Sequence, residues 1–429
     1  MYTSEHVTSL CAFIRRCPTP FHTVRTVCDM LRAEGYELRA EGDDSPLREG
    51  GRYIVVRSDS SLIAFRYASD RRGFRIAAAH TDTPSFRVKP VAEKLCASYT
   101  GLQTERYGGM IYHTWLDRPL SVAGRVFVRT EDGVTARLLD IDRDLALIPS
   151  VAIHLNRTVN EGVKLNPAVD LIPLMSCERP SGAFTALVAD TLGVAQEDIV
   201  SHDLFLYNRE PGRVLGLGED LLLCPRLDDL ACVYTCLQGF LSADADGDAI
   251  PVLALFHNEE VGSSTKQGAA STFLADTLRT IAGDAYGAML TGSLMVSADN
   301  AHAKHPNHPE LSDPDHAPTL GGGVVIKYNA SERYATDGLS DALFREICRR
   351  ADVPVQSYCN RADLAGGSTL GSISNTRVGV PTVDIGIAQL AMHAACESCG
   401  LRDVDTMVRA MTAFFSTAMQ ISGSAATFS

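Results

Sequence analysis

Short apolar runs alternate with longer amphipathic segments along most of this chain. The apolar runs are rich in β-forming residues and end in turn-forming ones, which predicts strands at residues 53–57, 62–67, 74–79, 251–256, 295–298, 324–328, 355–359 and 382–386. The amphipathic segments repeat apolar side chains every three or four positions, which predicts helices at residues 4–16, 20–33, 230–240, 271–281, 339–351 and 403–421. This alternation predicts an α/β fold with a mixed, mostly parallel sheet flanked by helices.

The pattern changes between residues 93 and 223, where short alternating segments are typical of antiparallel strands. Strands are predicted at residues 121–129, 170–174 and 201–207. A further apolar strand is predicted at residues 151–157, and it carries His154, for which a satisfied position in the core is the usual explanation. We therefore predict a main domain formed by residues 1–92 and 224–429, with a β-rich domain inserted at residues 93–223.

Composition limits the classes of partner. The 429 residues are 45% hydrophobic and carry a formal net charge of −13. This is the composition of a globular protein with a large core, and the acidic balance argues against nucleic acid or an anionic membrane as the main partner. The first residues lack the basic and apolar regions of a signal peptide, and no apolar stretch is long enough to cross a bilayer. We expect a cytoplasmic protein.

Twelve cysteines are scattered along the chain rather than grouped as in a disulfide scaffold. Most are expected to be reduced core residues. Cys396 and Cys399 have the spacing of a redox or zinc pair, but no second such pair completes a four-thiolate site. A metal site at these two cysteines is therefore not favoured.

Candidate chemistry begins where the strand at residues 251–256 runs into His257-Asn258-Glu259-Glu260-Val261-Gly262-Ser263. Adjacent residues that leave a strand point in different directions, so one glutamate could hold a metal while its neighbour handles a proton. A solvated acidic loop is the usual explanation of an isolated Glu-Glu pair. His80 similarly ends the strand at residues 74–79, and Asp82 could accept the second ring proton of that histidine.

A set of five residues favours a metal site over a solvated acidic loop. All five side chains are imidazole or carboxylate and lie where predicted strands end or helices begin: His80, Asp228, Glu260, Asp299 and His393. Such nitrogen and oxygen ligands suit zinc, cobalt or manganese. Five ligands suit two divalent ions that share one carboxylate, and two ions about 3.5–4 Å apart can hold a hydroxide and polarise a carbonyl. Glu259 is then the natural base. Asp228 and Asp229 also open a helix, where capping is the alternative role.

The segments that carry these residues resemble those of one family, the M18 aspartyl aminopeptidases. The similar segments, in family order, are His80-Thr81-Asp82-Thr83-Pro84, Pro225-Arg226-Leu227-Asp228-Asp229, His257-Asn258-Glu259-Glu260-Val261-Gly262-Ser263, Ser297-Ala298-Asp299-Asn300-Ala301-His302 and Gln389-Leu390-Ala391-Met392-His393. Each motif alone is modestly specific, but five in order are highly so. The resemblance extends into the insert, at residues 153–157 and 159–162.

The resemblance implies two ligand sets that share Asp228: His80 and Asp299 complete one set, and Glu260 and His393 complete the other. It also implies that Asp82 orients His80 and that Glu259 moves the proton from water to the leaving amine. The expected cofactors are two zinc ions, with cobalt or manganese as alternatives.

The resemblance further implies release of N-terminal aspartate or glutamate from peptides by a zinc-aminopeptidase-like catalytic domain. Substrate contacts are expected from four residues: His302, Lys327, Tyr334 and, from a neighbouring subunit, His154. The inserted domain would serve dimerisation and act as a lid. The expected assembly is a homo-oligomer, a tetrahedral dodecamer built from dimers.

Two departures from the family pattern bear on specificity. Asp229 stands where relatives commonly have asparagine, and the turn at residues 365–369 lacks the expected cysteine. One alternative is a dinuclear aminopeptidase or deacylase of broader specificity, with Lys327 as a structural ion-pair residue. A second alternative is an inactive metal-binding scaffold, against which the retained Glu259 argues.

Overall fold

The computed structural model describes residues 4–178, 182–244 and 247–429. The strands in this part of the chain are β1 (Glu37–Arg39), β2 (Arg52–Arg57), β3 (Ser61–Arg66), β4 (Phe74–His80), β5 (Ser85–Cys96), β6 (Tyr99–Tyr107), β7 (Leu120–Thr130), β8 (Gly133–Asp140), β9 (Leu174–Ser176), β10 (Ile199–Asn208), β11 (Arg213–Leu215), β12 (Leu221–Cys224), β13 (Ile250–Phe256), β14 (Leu294–Ala298), β15 (Ala301–His302), β16 (Val324–Tyr328), β17 (Val355–Cys359), β18 (Thr382–Gly386), β19 (Ala388–Leu390), β20 (Glu397–Gly400), β21 (Met419–Ser422) and β22 (Ala425–Phe428).

The α-helices of the same ranges are α1 (Glu5–Arg16), α2 (Pro20–Ala33), α3 (Ala183–Leu192), α4 (Leu227–Ser242), α5 (Phe273–Ala282), α6 (Tyr286–Thr291), α7 (Gly338–Arg350), α8 (Leu370–Asn375) and α9 (Leu401–Ser416). None of these helices combines the length and apolar character that a bilayer span requires. The predicted helices at residues 4–16, 20–33 and 339–351 are confirmed to within one residue at each end.

A nine-stranded mixed sheet, in the order β1-β2-β3-β13-β4-β14-β18-β16-β17, organises the main domain. Its four central strands, β13, β4, β14 and β18, are parallel to their neighbours among the four. Successive side chains of β4 enter different cores, because strand side chains alternate between the two faces. Ala77 and Ala79 pack with α4 and α9, whereas Ile76 and Ala78 pack with α5. The predicted α/β class with a mostly parallel sheet is confirmed.

The central strands end together at one edge of this sheet. His80 at the end of β4 is paired in register with Phe256 at the end of β13, and Ser297 near the end of β14 is paired with Ala78. Residues that follow these strands therefore lie close in space. This edge is where open α/β sheets bind their ligands.

A six-stranded antiparallel sheet, in the order β8-β7-β10-β5-β6-β9, forms the β-rich part of the chain. It has its own apolar core, which includes Phe86, Trp115 and Leu204. The predicted β-rich domain is thus confirmed as part of the fold, and its sheet runs from Ser85 to Asn208. The domain ranges stay predictions; residues 1–3, 179–181 and 245–246 within them lie outside the described residues.

A five-stranded sheet, in the order β11-β12-β20-β19-β15, was not predicted from the sequence. Its strands have two to four residues each, too few to show an alternating pattern. The sheet matters because Asp228 follows β12, and because His393 lies between β19 and β20.

Two predicted strands were wrong, and the predicted last helix was too long. Residues 151–157 form turns rather than a strand, and His154 is exposed rather than in the core. Of the predicted strand at residues 170–174, only Leu174 is in a strand. The last helix ends at Ser416, and residues 419–422 form a strand instead. The apolar residues at 151–157 gave the sequence pattern of a buried strand. They are instead exposed, and the exposed fraction of Leu155 is 83%.

Candidate metal centre

One buried carboxylate lies at the centre of the candidate site. The Asp228 Oδ1 atom is 3.4 Å from Nε2 of His80, and its Oδ2 atom is 3.3 Å from Nε2 of His393. The Asp228 side chain is only 3% exposed. Two imidazoles that come from distant parts of the chain thus face different oxygens of one carboxylate, which is the geometry that a bridging ligand needs.

The potential ligands form two groups that share this carboxylate. In each group the ligand atoms lie within 4.8 Å of one another, and the groups are His80, Asp228, Asp229 and Asp299, and Asp228, Glu260 and His393. The structure therefore brings together all five ligands predicted from the sequence. It adds Asp229 to the first group. Glu259 belongs to neither group, although it directly precedes Glu260.

The donor atoms fit divalent cations. Asp228 Oδ1, Asp229 Oδ1 and Glu260 Oε1 are buried and have no hydrogen-bond partner among the described residues. A buried carboxylate oxygen without a partner is costly, and a bound cation removes that cost. Imidazole nitrogen and carboxylate oxygen are ligands that zinc accepts. The residues therefore fit a zinc-type centre.

Burial and crowded negative charge together shift the titration of these groups. Burial and the neighbouring Asp228 raise the pKa of Glu260 well above its usual range. Burial lowers the pKa of His393, but the Asp228 and Glu260 carboxylates outweigh it and raise that pKa to about 10. Burial raises the pKa of Glu259 to about 8. This cluster of acids is an electrostatic environment that favours cations.

Backbone carbonyls fix the tautomers of both histidines. His80 Nδ1 donates to the Asp82 carbonyl at 3.0 Å, and His393 Nδ1 donates to the Gly109 carbonyl. A carbonyl oxygen only accepts, so in the neutral imidazole each Nδ1 carries the proton and each Nε2 keeps a free lone pair. Both Nε2 atoms are therefore available as metal ligands.

Asp82 acts mainly on the glutamate turn. Its carboxylate accepts from the backbone N–H groups of Glu259 and Glu260, both at 3.2 Å, and from the Tyr107 hydroxyl at 2.7 Å. The Asp82 carboxylate is 3.6 Å from His80 Nδ1, farther than the Asp82 carbonyl. Asp82 thus orients His80 through its carbonyl and holds the turn that carries Glu259 and Glu260 through its side chain.

The alternative role of the two aspartates as helix caps was wrong. Asp228 and Asp229 have non-helical backbone angles, and the Oδ1 atom of each has no hydrogen-bond partner among the described residues. The Asp229 Oδ2 atom instead accepts from the backbone N–H of His80 at 3.2 Å. Burial raises the pKa of Asp229 well above its usual range. This aspartate therefore supports the strand end that carries His80.

Three of the four predicted substrate contacts lie together beside Asp299. Lys327 is buried and donates to the Asp299 carbonyl at 2.7 Å, and its Nζ atom is 5.2 Å from the centre of the Tyr334 ring. The rings of His302 and Tyr334 lie 6.0 Å and 6.3 Å from that of Tyr358. His154 lies apart in an exposed turn; no hydrogen bond or ion pair joins it to this centre among the described residues.

Sequence reasoning missed four residues of the site. Tyr107 and Gly109 belong to the inserted sheet and its following loop, yet they contact Asp82 and His393. Tyr358 and Glu397 also contact predicted site residues, Glu397 through the backbone N–H of His393. A tyrosine or glycine far from any motif carries no local signal. Glu397 follows His393 by only four residues, so its proximity was the one usable signal.

Comparison with known proteins identifies the class to which this fold and site belong. A family model described as "Aminopeptidase I zinc metalloprotease (M18)" matches residues 13–415. The "Probable M18 family aminopeptidase 2" of Clostridium acetobutylicum is 42% identical over 415 residues, which cover 93% of this chain and 96% of that protein. The class is therefore that of the zinc metallo-aminopeptidases.

Solved structures agree. A structure titled "Cryo-EM structure of the Ape4 and Nbr1 complex" matches with a TM-score of 0.92 and 33% identity over 96% of this chain and 85% of that one. The mApe1 dodecamer of S. cerevisiae matches with a TM-score of 0.85 and 25% identity over 96% of each chain. The chain belongs to the M18 family of aminopeptidases.

Proposed function

We propose that this aminopeptidase releases N-terminal aspartate or glutamate from peptides at a centre of two divalent ions. The observation that carries the proposal is that the two oxygens of buried Asp228 face His80 and His393 separately, at 3.4 and 3.3 Å. A single carboxylate in that position serves two ions. The zinc metalloprotease family to which the chain belongs supports zinc as the metal.

Each ion has its own ligands besides the shared Asp228. His80 and Asp299 hold one ion, and Glu260 and His393 hold the other. Zinc is the proposed metal at both positions, with cobalt or manganese as alternatives that accept the same ligands. When bound, the ions supply the Lewis acidity that activates a water molecule and polarises the peptide carbonyl.

Glu259 is proposed as the group that moves the proton. It is adjacent to the ligand Glu260 but lies outside both ligand groups, so its carboxylate is uncommitted. It accepts a proton from the attacking water and passes it to the leaving amine. Asp82 fixes its position, because the Asp82 carboxylate accepts from the Glu259 backbone N–H.

The acidic specificity rests on one cation and its neighbours. Lys327 lies beside Tyr334 and the metal ligand Asp299, and His302 stacks edge-on against Tyr358. An acidic side chain that entered this pocket would meet an ammonium group in an otherwise acidic protein. Tyr334 and Tyr358 belong to an apolar cluster with Val325 and Ala388, which would exclude water from an ion pair formed with Lys327.

Metal dependence gives the first test. The purified protein is expected to contain two equivalents of divalent metal per chain, and chelation is expected to abolish its activity on aspartyl and glutamyl substrates. Metal analysis and peptide hydrolysis before and after chelation measure both. Addition of zinc to the chelated enzyme is expected to restore the activity. A fully active protein with no bound metal would refute the dinuclear mechanism.

A broader aminopeptidase is the second candidate, and one contact favours it. Lys327 Nζ donates to the Asp299 carbonyl and lies 3.7 Å from the Asp299 carboxylate, so it also serves as a structural ion-pair residue. In that case its main effect would be on the metal ligand rather than on the substrate.

A substrate panel separates the two candidates. The wild-type enzyme is expected to prefer aspartyl and glutamyl over leucyl substrates. The Lys327→Met variant is expected to lose kcat/KM on aspartyl substrates by more than it loses on leucyl ones, because only the acidic side chain needs the cation. Metal content of the variant is the control for the Asp299 contact. Equal losses on both substrates, or a wild-type preference for leucine, would favour the broader enzyme.

The assembly is proposed to be a cytoplasmic tetrahedral dodecamer built from dimers, and the structure of the mApe1 dodecamer supports the dodecameric state. The inserted domain, proposed at residues 93–223 between catalytic parts at 1–92 and 224–429, would form the dimer contact and the lid. Between residues 151 and 169 it exposes a group of large apolar side chains: Val151, Ile153, Leu155, Val163 and Val169. Such a patch is typical of an interface. His154 lies within it and would reach the substrate of a neighbouring subunit.

A further inference from the structure

Glu397 connects two ligand-bearing loops at the point where both leave the five-stranded sheet. Strand β12 ends at Cys224, which is paired in register with Glu397 on β20. The chain continues from β12 to Asp228 and enters β20 from His393. The Glu397 side chain is therefore placed between the loop that carries the shared aspartate and the loop that carries a histidine.

The Glu397 carboxylate uses one oxygen for each loop. Oε2 accepts from the backbone N–H of Asp228 at 2.9 Å, and Oε1 accepts from the backbone N–H of His393 at 2.7 Å. The residue is 2% exposed. Within the described part of the chain, no lysine or arginine forms an ion pair with it, so its hydrogen-bonding is directed to these two N–H groups.

The residue type at this position follows from the two donors. Only a carboxylate presents an acceptor at both ends, because the amide of glutamine offers one acceptor oxygen and one donor nitrogen. Glutamine at position 397 would place N–H against N–H in one of the two contacts. An acidic residue is thus required here although burial of its charge is costly.

His393 shows independently that its loop needs support. Its φ is +66°, in the left-handed region that a residue with a side chain adopts only when its surroundings hold it there. Three contacts hold it: the Glu397 carboxylate on its N–H, the Ile111 N–H on its carbonyl at 3.0 Å, and the Gly109 carbonyl on its ring. Glu397 is the one among them that also contacts Asp228.

We infer that Glu397 is a positioning residue. It holds the backbone of the shared ligand Asp228 and of His393 in the geometry that binds the ion proposed at Glu260 and His393. The inference rests on the proposed dinuclear centre. Glu397 belongs to neither ligand group, and it acts through hydrogen bonds to the backbone of two proposed ligands. Its removal would loosen the ion held by Glu260 and His393 first, because the other ion keeps His80 and Asp299.

Metal exchange of the holoenzyme tests this role. Glu397→Gln and Glu397→Asp are expected to release one of two bound ions to a competing chelator about 10–100-fold faster than the wild type, as losses of outer contacts to metal ligands do. The cobalt-substituted variants are expected to show a changed visible absorption spectrum. Glu397→Asp keeps the charge but is one methylene group too short to reach both N–H groups.

Asp403 provides a matched control. It is also buried, and its carboxylate accepts from two backbone N–H groups, those of Gly321 at 2.6 Å and Gly323 at 3.0 Å, but these flank no proposed ligand. Asp403→Asn is expected to lower the thermal stability while it leaves metal release and the cobalt spectrum as in the wild type. If the Glu397 variants also lowered only the thermal stability and left metal release and the cobalt spectrum unchanged, Glu397 would be a structural residue and the inference would be overturned.

Hydrogen exchange of the wild-type apoenzyme gives a readout that needs no variant. If Glu397 holds the two loops before metal binds, the amide hydrogens of Asp228 and His393 exchange slowly without metal. Rapid exchange of both would overturn the inference. A wild-type protein that never binds a second ion would instead refute the proposed dinuclear centre, so the two failures are distinguishable.

Discussion

Glu259→Gln is expected to keep two metal ions per chain and to lose turnover by about 10²–10⁴-fold or more, because general acid–base groups contribute about that much. Glutamine has the same shape and preserves the backbone N–H contact to Asp82, which is 3.2 Å long. It cannot accept the proton of the attacking water. Metal analysis and steady-state kinetics on an aspartyl peptide measure the two quantities separately, and KM is expected to change less than kcat.

Glu260→Gln is the matched comparison for this result. It changes the adjacent residue by the same single group, but Glu260 belongs to the ligand group with Asp228 and His393. We expect this variant to lose metal as well as activity. Full activity of Glu259→Gln would remove the proposed mechanism, and metal loss in Glu259→Gln would show that Glu259 is a ligand rather than the proton carrier.

The sequence patterns brought the candidate ligands together for a local reason. His80 ends a short apolar strand, Asp299 directly follows another and Glu260 lies in the turn after a third, and the ends of neighbouring parallel strands meet at one edge of a sheet. Chemistry limited the remaining candidates to imidazoles and carboxylates. The helices with a clear amphipathic period were equally predictable, since burial of one face fixes the period. The period does not fix the ends, because the predicted closing helix runs past Ser416, where α9 stops.

Contacts between distant segments could not be predicted from local strand and helix patterns. Tyr107 donates to Asp82 across 25 positions, and Gly109 accepts from His393 across 284. Neither residue belongs to a motif, because a hydroxyl or a carbonyl can occupy such a place in many sequences. The turn around His154 was missed for the opposite reason: its apolar residues mimic a strand, yet they are exposed in this chain.

These distant contacts show that the β-rich sheet supports the candidate metal centre. Tyr107 ends β6 and holds Asp82, which in turn holds the turn with Glu259 and Glu260. The loop after β6 holds His393 through Gly109. The insert therefore contacts supports of both ligand groups, since Asp82 also accepts from the His80 ring through its carbonyl and Gly109 accepts from the His393 ring.

Asp228→Asn is expected to have the largest effect on the metal centre itself. Asp228 faces both histidines, with its two oxygens 3.4 and 3.3 Å from their Nε2 atoms. Asparagine keeps one acceptor oxygen and replaces the other by a donor, so it cannot bridge two cations. We expect the variant to hold at most one ion per chain and to lose nearly all aminopeptidase activity. Metal analysis by mass spectrometry and peptide hydrolysis measure both effects.

Asp229→Asn makes the same substitution one residue further along and serves as the control. Its side-chain oxygen can still accept from the His80 backbone N–H, a contact of 3.2 Å. The variant is expected to retain two ions and to lose less than the about 10–100-fold that is typical when an outer contact of a metal ligand is removed, since the contact to His80 is kept. It also removes one buried acid from a crowded set, so its apoenzyme is expected to melt at a higher temperature. If Asp229→Asn lost metal as Asp228→Asn does, Asp229 would be a ligand, and the first ion would be held by four protein groups rather than three.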